Sequence, residues 1–271
     1  MHRGELIPLV DQWIKELYYE EKAQLTLNKY KSNVLAFFDF VQHTNDITKD
    51  DTMLYKEFLK KRYQPSSINS YITIVNKFLL WAGIEEATLK KLRIQVVYSL
   101  ENVPSVTEYK RMLRRAKEDG MTDMYLIMKT IARTGVRVSE LKQFTVETIQ
   151  KFVQHIRLKG KDRDIPVPQD LIRELRKYCK ANKITTGVIF PHSPKKIWLE
   201  MKNIATRAKI NKEKIYPHAL RHLFSKEYLA QNNNDIAELA DILGHGSINT
   251  TRIYSRTSLN DKRGKLEKMK Y

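Results

Sequence analysis

The sequence predicts a mainly α-helical protein with a small β-hairpin or three-stranded sheet, divided into two domains. Apolar residues recur at helical spacing along most of the chain. One stretch near the middle alternates instead, on both sides of a glycine turn. The chain has 271 residues, which is the length of two ordinary domains.

Residues 1–84 predict a helical domain, because four amphipathic stretches with short connections are typical of a small bundle. Thr26 is the expected N-cap of the second helix, and Pro65 opens the fourth. The pattern then becomes irregular, and we assign residues 85–102 to a linker. The four predicted helices run from about Glu5 to Glu21, Thr26 to His43, Asp51 to Tyr63 and Pro65 to Trp81.

Residues 103–271 predict a second domain that mixes helices with a hairpin. Its first helix begins at Ser105, and Glu108 completes a capping box. The alternating residues Phe152 to Leu158 form the first hairpin strand, followed by a basic turn from Gly160 to Arg163. The other expected elements are helices at Asp123 to Arg133, Val136 to Phe144, Pro168 to Asn182, Pro194 to Lys209 and Asp235 to Leu243, a return strand at Asp164 to Val167 and a third strand at Gly187 to Phe190.

The composition indicates a polyanionic partner. There are 49 Lys and Arg residues against 31 Asp and Glu, a net charge of +18, and nucleic acid is the first candidate. An exposed lysine is often only solvated, and this alternative stays open for each residue. The expected DNA contacts are Lys60, Lys61, Arg62, Ser66, Lys77, Lys90, Lys91, Arg93, Lys195, Lys196, Lys202 and Arg207.

Other features of the sequence narrow the class of protein. The single cysteine, Cys179, excludes an internal disulfide and fits a reducing cytoplasm. We find no membrane-spanning run and no signal-peptide pattern. The first predicted helix begins at Glu5, so we expect no separate N-terminal domain ahead of it.

The most informative stretch begins at His218. His218, Arg221 and His222 lie at i, i+3 and i+4 and share one helix face. A guanidinium between two imidazoles directs several donors toward one point, which suits a phosphate. Two histidines at this spacing also occur in zinc hydrolases, but those proteins need a glutamate where this chain has Ala219, so we expect no metal.

Further polar residues surround this stretch in the chain. Arg137 is expected at a helix start, where backbone N–H groups also favour an anion. Glu140, one turn later, could orient Arg137, although a simple intrahelical pair is the alternative. Downstream, His245 follows the predicted C-cap Gly244, and Tyr254 comes after one more short helical segment.

With these residues the chain resembles the tyrosine recombinase (phage integrase) family, of the two-domain Xer-like type. The resemblance covers Val103 to Tyr271 as the catalytic domain and, more weakly, the first domain as a core DNA-binding domain. One departure is a hairpin turn one residue shorter than is usual, which leaves Lys161 as an alternative to Lys159. The matching residues, in the order of the family, are Arg137, Lys159, His218, Arg221, His245 and Tyr254.

The resemblance implies a chemical role for each residue. Tyr254 attacks a DNA phosphate to form a 3′-phosphotyrosyl link, and Lys159 protonates the leaving 5′-oxygen. Four residues hold the phosphate or move protons: Arg137, His218, Arg221 and His245, with His222 in support. No metal, ATP or other cofactor is expected.

The resemblance also implies an assembly. It would be a homotetramer on two double-stranded DNA sites, with strand exchange through a Holliday junction and the segment Leu259 to Tyr271 docked on a neighbouring subunit. It implies a cytoplasmic protein, at the nucleoid of a prokaryote or of the host of a phage or mobile element. Accessory DNA-bending proteins are compatible with it. The target sequence and the outcome (integration, excision, inversion or resolution) are not readable.

Two alternatives remain open at this point. The same chemistry on one duplex would give a type IB topoisomerase-like nicking-closing enzyme. A non-catalytic DNA-binding protein on the same scaffold is the second, and the presence of all six polar residues disfavours it.

Overall fold

The computed structural model of the chain describes residues 3–42, 45–94, 103–151, 153–158, 161–244, 251, 267 and 269, without the side chains of Leu158 and Lys161. The chain divides into two compact units, Met1–Val97 and Tyr98–Tyr271. The expected mainly helical fold with a small sheet is confirmed. No helix in these ranges combines the length and apolar character needed to cross a membrane.

The first unit is a bundle of four helices around an aromatic core. The Phe78 ring meets Trp13 and Phe38 edge-on, with ring centroids 5.4 and 5.7 Å apart. Edge-to-face pairs of this kind add to the stabilisation that comes from burying their apolar area. The helices are α1 (Arg3–Tyr19), α2 (Gln24–Phe40), α3 (Lys49–Lys60) and α4 (Pro65–Trp81), followed by a 3-10 turn, Glu85–Ala87.

Three predicted helix starts in this unit were wrong, and α1 already includes Arg3, two residues before the predicted start at Glu5. Thr26 is not an N-cap, because α2 begins at Gln24, after Ala23, with no side-chain cap. Helix α3 begins at Lys49, two residues before the predicted start. Thr48 caps it, and the Asp51 carboxylate accepts from the Thr48 backbone N–H at 2.8 Å, which completes a capping box.

Part of the stretch that we assigned to the linker is bonded to the first unit. The Asn76 side chain accepts from the Leu89 N–H at 2.9 Å and donates to the Leu89 carbonyl at 2.8 Å. Asn69 makes the same pair of bonds with Leu92, at 2.8 and 3.0 Å. The side chains of two asparagines on α4 thus satisfy backbone groups of this extended stretch, as a neighbouring β-strand otherwise would.

The second unit contains six helices and one hairpin in its described part. Ser105 caps α5 and Glu108 closes the capping box, as predicted. The elements are α5 (Val106–Glu118), α6 (Thr122–Thr134), β1 (Val153–Leu158), β2 (Lys161–Pro166), α7 (Gln169–Ala181), α8 (Pro194–Arg207), α9 (Pro217–Gln231) and α10 (Ile236–Leu243), with 3-10 turns at Val138–Gln143, Thr148–Gln150 and Lys212–Lys214.

The hairpin differs from its prediction at the tip. Strands β1 and β2 are antiparallel, and their register pairs Leu158 with Lys161. The predicted turn from Gly160 to Arg163 was therefore wrong, because β2 already begins at Lys161. The predicted helix at Val136 also shortens to a 3-10 turn that begins at Val138.

The expected third strand does not join this sheet. Residues Gly187 to Phe190 form one isolated bridge, between Val188 and Thr145. Within the described ranges the sheet has two strands, β1 and β2. The segment is still fixed in place, because the Val146 N–H donates to the Gly187 carbonyl at 2.9 Å and the Ile189 N–H donates to the Phe144 carbonyl at 3.0 Å.

Helix α6 lies at the centre of the second unit. Ile127, Met128 and Ile131 on this helix are fully buried. Helices α9 and α10 add a smaller apolar cluster, with Leu229, Leu239 and Leu243 at its centre and Phe224 packed against it. Phe224 and Leu243 both contact Gly135, the residue that ends α6. The C-terminal ends of α6 and α10 therefore meet beside α9.

Candidate active site

Arg221 lies at this meeting point and is fully buried. Its Nη2 donates to the Leu243 carbonyl at 2.7 Å, and its Nη1 donates to the Gly135 carbonyl. Gly135 and Gly244 cap α6 and α10 in the left-handed conformation, with φ of 67° and 62°. Carbonyl groups at helix C-termini carry partial negative charge. The guanidinium is therefore held between two helix ends of favourable sign.

Gly135 is required for this arrangement on steric grounds as well. A Cβ atom there would lie 2.6 Å from Cδ1 of Phe224 and 2.9 Å from Cδ2 of Leu243. Both distances are too short for a real contact between carbon atoms. The absence of a side chain at Gly135 thus lets α9 and α10 approach closely enough for Arg221 to reach both carbonyls.

Arg137 stands two residues after Gly135, at the N-cap of the 3-10 turn. Its Nη1 donates to Glu140 Oε1 at 2.9 Å, and its backbone N–H donates to Oε2 at 2.7 Å. The contact predicted between these two residues is present. Glu140 is fully buried, whereas a third of the Arg137 side chain, 34%, is exposed. The buried carboxylate thus holds a guanidinium that still faces outward.

Arg163, on β2, contacts the same carboxylate. Its Nη2 donates to Glu140 Oε2 at 2.7 Å, and only 11% of its side chain is exposed. Sequence reasoning placed Arg163 in the hairpin turn and set it aside as a general acid, because a guanidinium stays charged and is a poor proton donor. The register pairs it with the buried Ile156 and sets it two residues before the buried Ile165. Strand alternation from the correct turn would have placed it on the inner face.

His218 and His222 occupy the first turns of α9, with ring centroids 4.6 Å apart. Desolvation lowers the pKa of His218, with smaller contributions from the charges of Arg221 and Arg137. His218 is exposed over the residue as a whole, which limits this desolvation. Desolvation, His218 and Arg221 lower the pKa of His222 to about 4. Both imidazoles are therefore neutral near pH 7.

The remaining predicted residues lie outside the described part of the chain. These are Lys159, His245 and Tyr254. Their described neighbours are Leu158 and Lys161 on the hairpin and Gly244 at the end of α10. The structure thus brings together Arg137, Glu140, His218, Arg221 and His222. Within the described ranges no three His, Cys, Asp or Glu side chains form a group that could hold a metal ion.

Family models match most of the chain. The model of the phage integrase family matches residues 105–261, and that of the phage integrase N-terminal SAM-like domain matches residues 10–86. The first match alone spans more than half of the chain and includes all six residues of the motif. The chain belongs to the phage integrase family. The predicted membership of the tyrosine recombinases, a class of site-specific recombination enzymes, is thereby confirmed.

Individual relatives agree with this assignment. The chain is 26% identical to the tyrosine recombinase XerA of Pyrococcus furiosus, over 92% of its own length and 90% of the relative. It is 27% identical to XerA of Saccharolobus solfataricus, over 94% and 90%. The crystal structure of XerA recombinase aligns over 99% of both chains, with a TM-score of 0.55 and 26% identity.

Two solved DNA complexes share the fold of this chain. One is XerH bound to its difH substrate, with a TM-score of 0.71, 16% identity and coverage of 97% of this chain and 85% of that one. The other is a λ integrase tetramer bound to a Holliday junction, with a TM-score of 0.74, 18% identity and coverage of 93% and 78%.

The expected DNA contacts of the first unit are exposed to solvent. Three of them also touch neighbouring side chains: Lys60 pairs with Glu57 at 2.6 Å, and the Arg62 guanidinium carbon lies 4.2 Å from the Phe58 ring centroid. The Lys77 ammonium lies 5.6 Å from the Tyr30 ring centroid. The exposed set is Lys60, Lys61, Arg62, Ser66, Lys77, Lys90, Lys91 and Arg93.

The candidates on α8 divide into two groups. Lys195 and Lys196 are exposed in its first turn. Lys202 pairs instead with Glu213 at 3.3 Å, and Arg207 pairs with Asp119 at 3.2 Å. Lys202 and Arg207 therefore have acidic partners within the unit. These ion pairs favour a structural role for the two residues over the DNA contacts that we expected from the sequence.

Proposed function

We propose that the chain cuts and rejoins double-stranded DNA at a specific site, through a covalent 3′-phosphotyrosyl link at Tyr254. The observation that carries the proposal is the arrangement around Arg221. A buried arginine fixed to two helix ends, an outward-facing Arg137 and a neutral His218 meet in one unit. Positive donors that are fixed before a phosphate arrives are the arrangement that stabilises charge in phosphoryl transfer.

The proposed reaction needs few chemical groups. The Tyr254 hydroxyl attacks phosphorus, the bond to the 5′-oxygen breaks, and Lys159 gives that oxygen a proton. The tyrosine proton passes to a neutral imidazole, and the lowered pKa of His218 keeps that residue in the accepting form. The link conserves the energy of the phosphodiester bond, so a 5′-hydroxyl can reverse the step without ATP. Arg137 and Arg221, with His245, neutralise the phosphate in place of a divalent metal.

The assembly is inferred by analogy with the relatives. λ integrase forms a tetramer on a Holliday junction. We infer that this chain also acts as a homotetramer on two duplexes, which exchange strands through such a junction, with Leu259 to Tyr271 docked on a neighbouring subunit. Because its proposed substrate is DNA, we infer that the protein acts in the cytoplasm, at the nucleoid.

A selection followed by a trapping assay tests the proposal. Duplexes retained from a randomised pool give the binding site, and a nicked suicide substrate is built on that site. The wild-type protein should form an adduct that survives denaturation, in excess chelator as well as without it. Absence of an adduct, or an adduct that needs added magnesium or zinc, would count against the proposal.

The nicking-closing alternative is separated by a second substrate. A topoisomerase-like enzyme would relax a supercoiled plasmid that lacks the selected site. The proposed recombinase should leave that plasmid supercoiled and exchange strands only between two copies of the site.

A further inference from the structure

Arg163 is a buried cation to which the proposed reaction gives no role. It shares the Glu140 carboxylate with Arg137: Arg137 Nη1 bonds Oε1 at 2.9 Å, and Arg163 Nη2 bonds Oε2 at 2.7 Å. The exposed fractions of the three side chains are 34% for Arg137, 11% for Arg163 and none for Glu140. The carboxylate and Arg163 thus form the inner part of a triad, and Arg137 is its outward end.

The charge of the triad explains why a second arginine is useful. A buried carboxylate that faced Arg137 alone would cancel its charge and hold it in a closed ion pair. Two guanidinium groups around one carboxylate leave a net positive charge, and it is exposed at Arg137. Arg163 therefore allows Glu140 to orient Arg137 without consuming the charge that the phosphate needs.

The other side of Arg163 rests on Gly244. A Cβ atom on Gly244 would lie 2.5 Å from Nη1 and 2.7 Å from Cδ of Arg163. Gly244 follows Leu243, whose carbonyl holds Arg221, and precedes His245. One side chain on β2 thus contacts both the orienting carboxylate of Arg137 and the turn that leads to His245.

Burying the guanidinium of Arg163 is unfavourable if its only role is to stabilise the fold. Its Nε is buried and has no hydrogen-bond partner among the described residues. Desolvation is the largest influence on the pKa of Arg163, and desolvation lowers that pKa. A buried ion pair is by itself weak evidence for a stabilising role, because the cost of removing both charges from water can exceed their mutual attraction.

We propose that Arg163 is a positioning residue of the active site, which keeps Arg137 available to the phosphate and fixes the turn before His245 through its contact with Gly244. This inference rests on the proposed function for its catalytic readout. It adds a residue of the hairpin strand to the groups that prepare the phosphate site.

The test compares Arg163→Met with Arg157→Met. Arg157 lies on the same hairpin, and its side chain is 83% exposed, so its loss removes the same charge without touching the triad. Cleavage of the nicked suicide substrate is measured at saturating DNA, together with the Kd for the same duplex. Arg163→Met should cleave about 10²-fold more slowly, since small misplacements of reacting groups cost about this much. Arg157→Met should stay within about twofold.

Two further variants separate positioning from folding. Arg163→Lys keeps a charge but cannot contact Glu140 and Gly244 together, so its rate should fall between those of the wild type and Arg163→Met. Glu140→Gln combined with Arg163→Met should be no slower than the slower single variant, because both changes act through the same contact. Additive losses, a rate for Arg163→Met equal to that of Arg157→Met, or a Kd that weakens as much as the rate would each overturn the proposal.

A measurement that does not require DNA cleavage tests this proposal separately from the proposed function. In protein labelled with nitrogen-15 arginine, the Nε–Hε signal of Arg137 should shift in Arg163→Met and stay in place in Arg157→Met. If the wild-type protein forms no adduct, the proposed function fails, and this shift still tests the triad. An unmoved Arg137 signal would refute the positioning role whatever the cleavage assay gives.

Discussion

At the scale of single residues, Arg221 shows how one side chain can serve structure and chemistry together. Its bonds to the Gly135 and Leu243 carbonyls join three helices, so its removal would disturb the fold as well as the phosphate site. A loss of activity in Arg221→Ala is therefore poor evidence for a chemical role. Residues whose side chains bear on one function alone give sharper tests.

Lys159 is the first of these residues, because a general acid has a diagnostic substrate. Lys159→Ala should slow cleavage by about 10²–10⁴-fold, the usual range for general acid catalysis. A substrate with sulfur at the 5′-bridging position has a leaving group that needs no proton, so it should restore the rate of Lys159→Ala. Tyr254→Phe should stay inactive on both substrates, because it lacks the nucleophile.

Lys161→Ala is the matched control for this experiment. The structure assigns Lys161 to the first position of β2, not to the turn in which we expected it. If sulfur rescues Lys161→Ala instead, Lys161 is the general acid and the assignment of Lys159 fails.

The lowered pKa of His222 predicts a pH-dependent stability. Above pH 6.5 the imidazole is neutral in both the folded and the unfolded state and adds no pH dependence. Between 6.5 and about 4 the unfolded chain binds a proton that the folded state excludes, so the free energy of unfolding falls as the pH falls. At pH 5 this loss is at most about 2 kcal/mol. His222→Gln should reduce the drop in urea midpoint between pH 7 and pH 5, and an equal drop in both proteins would contradict the shift.

At the scale of secondary-structure elements, the account depends on the close approach of α6, α9 and α10 at Gly135. Gly135→Ala should destabilise the protein in two ways. The left-handed conformation costs an L-residue about 1–2 kcal/mol, and the overlap with Phe224 and Leu243 adds about 1–3 kcal/mol.

Gly120→Ala is the control for the backbone term alone. Gly120 has a φ of 70° and no atom within 4 Å of its would-be Cβ. Urea unfolding of the two variants should therefore show a larger loss for Gly135→Ala. Equal losses would mean that the contact at Gly135 relaxes easily and does not fix the position of Arg221.

Local signals in the sequence predicted the ends of helices better than they predicted contacts between residues that are distant in the chain. The capping box of Ser105 and Glu108 and the stop at Gly244 were predictable because each depends on residues a few positions apart. The Thr48 cap was missed because aspartate, not glutamate, closes its box. Arg163 was missed because the position of the hairpin turn decides which face of the strand it lies on. The partners of Arg221 were missed because they lie 86 and 22 positions away in the chain.

At the scale of the whole molecule, the net charge of +18 suits a protein that binds DNA. The segment from Leu259 to Tyr271, most of which lies outside the described residues, enters the account only through its proposed docking on a neighbour. Deleting it should leave the Kd of one protomer for a half-site within about threefold, because none of the expected DNA contacts lies in this segment and changes away from such contacts have small effects. Cooperative binding of a second protomer and pairing of two duplexes, measured by gel shift, should be lost. Unchanged cooperativity would remove the docking role.

The central claim is that Tyr254 forms the covalent link to DNA, and one measurement tests it most directly. The wild-type protein is trapped on the nicked suicide substrate, digested with a protease, and the peptide that carries the nucleotide is identified by mass spectrometry, with Tyr254→Phe treated in parallel. The account predicts a phosphodiester adduct on Tyr254 in the wild type. For Tyr254→Phe it predicts unchanged DNA binding and no adduct, since only the nucleophilic oxygen has been removed. An adduct on another residue, or one that still forms in Tyr254→Phe, would contradict it.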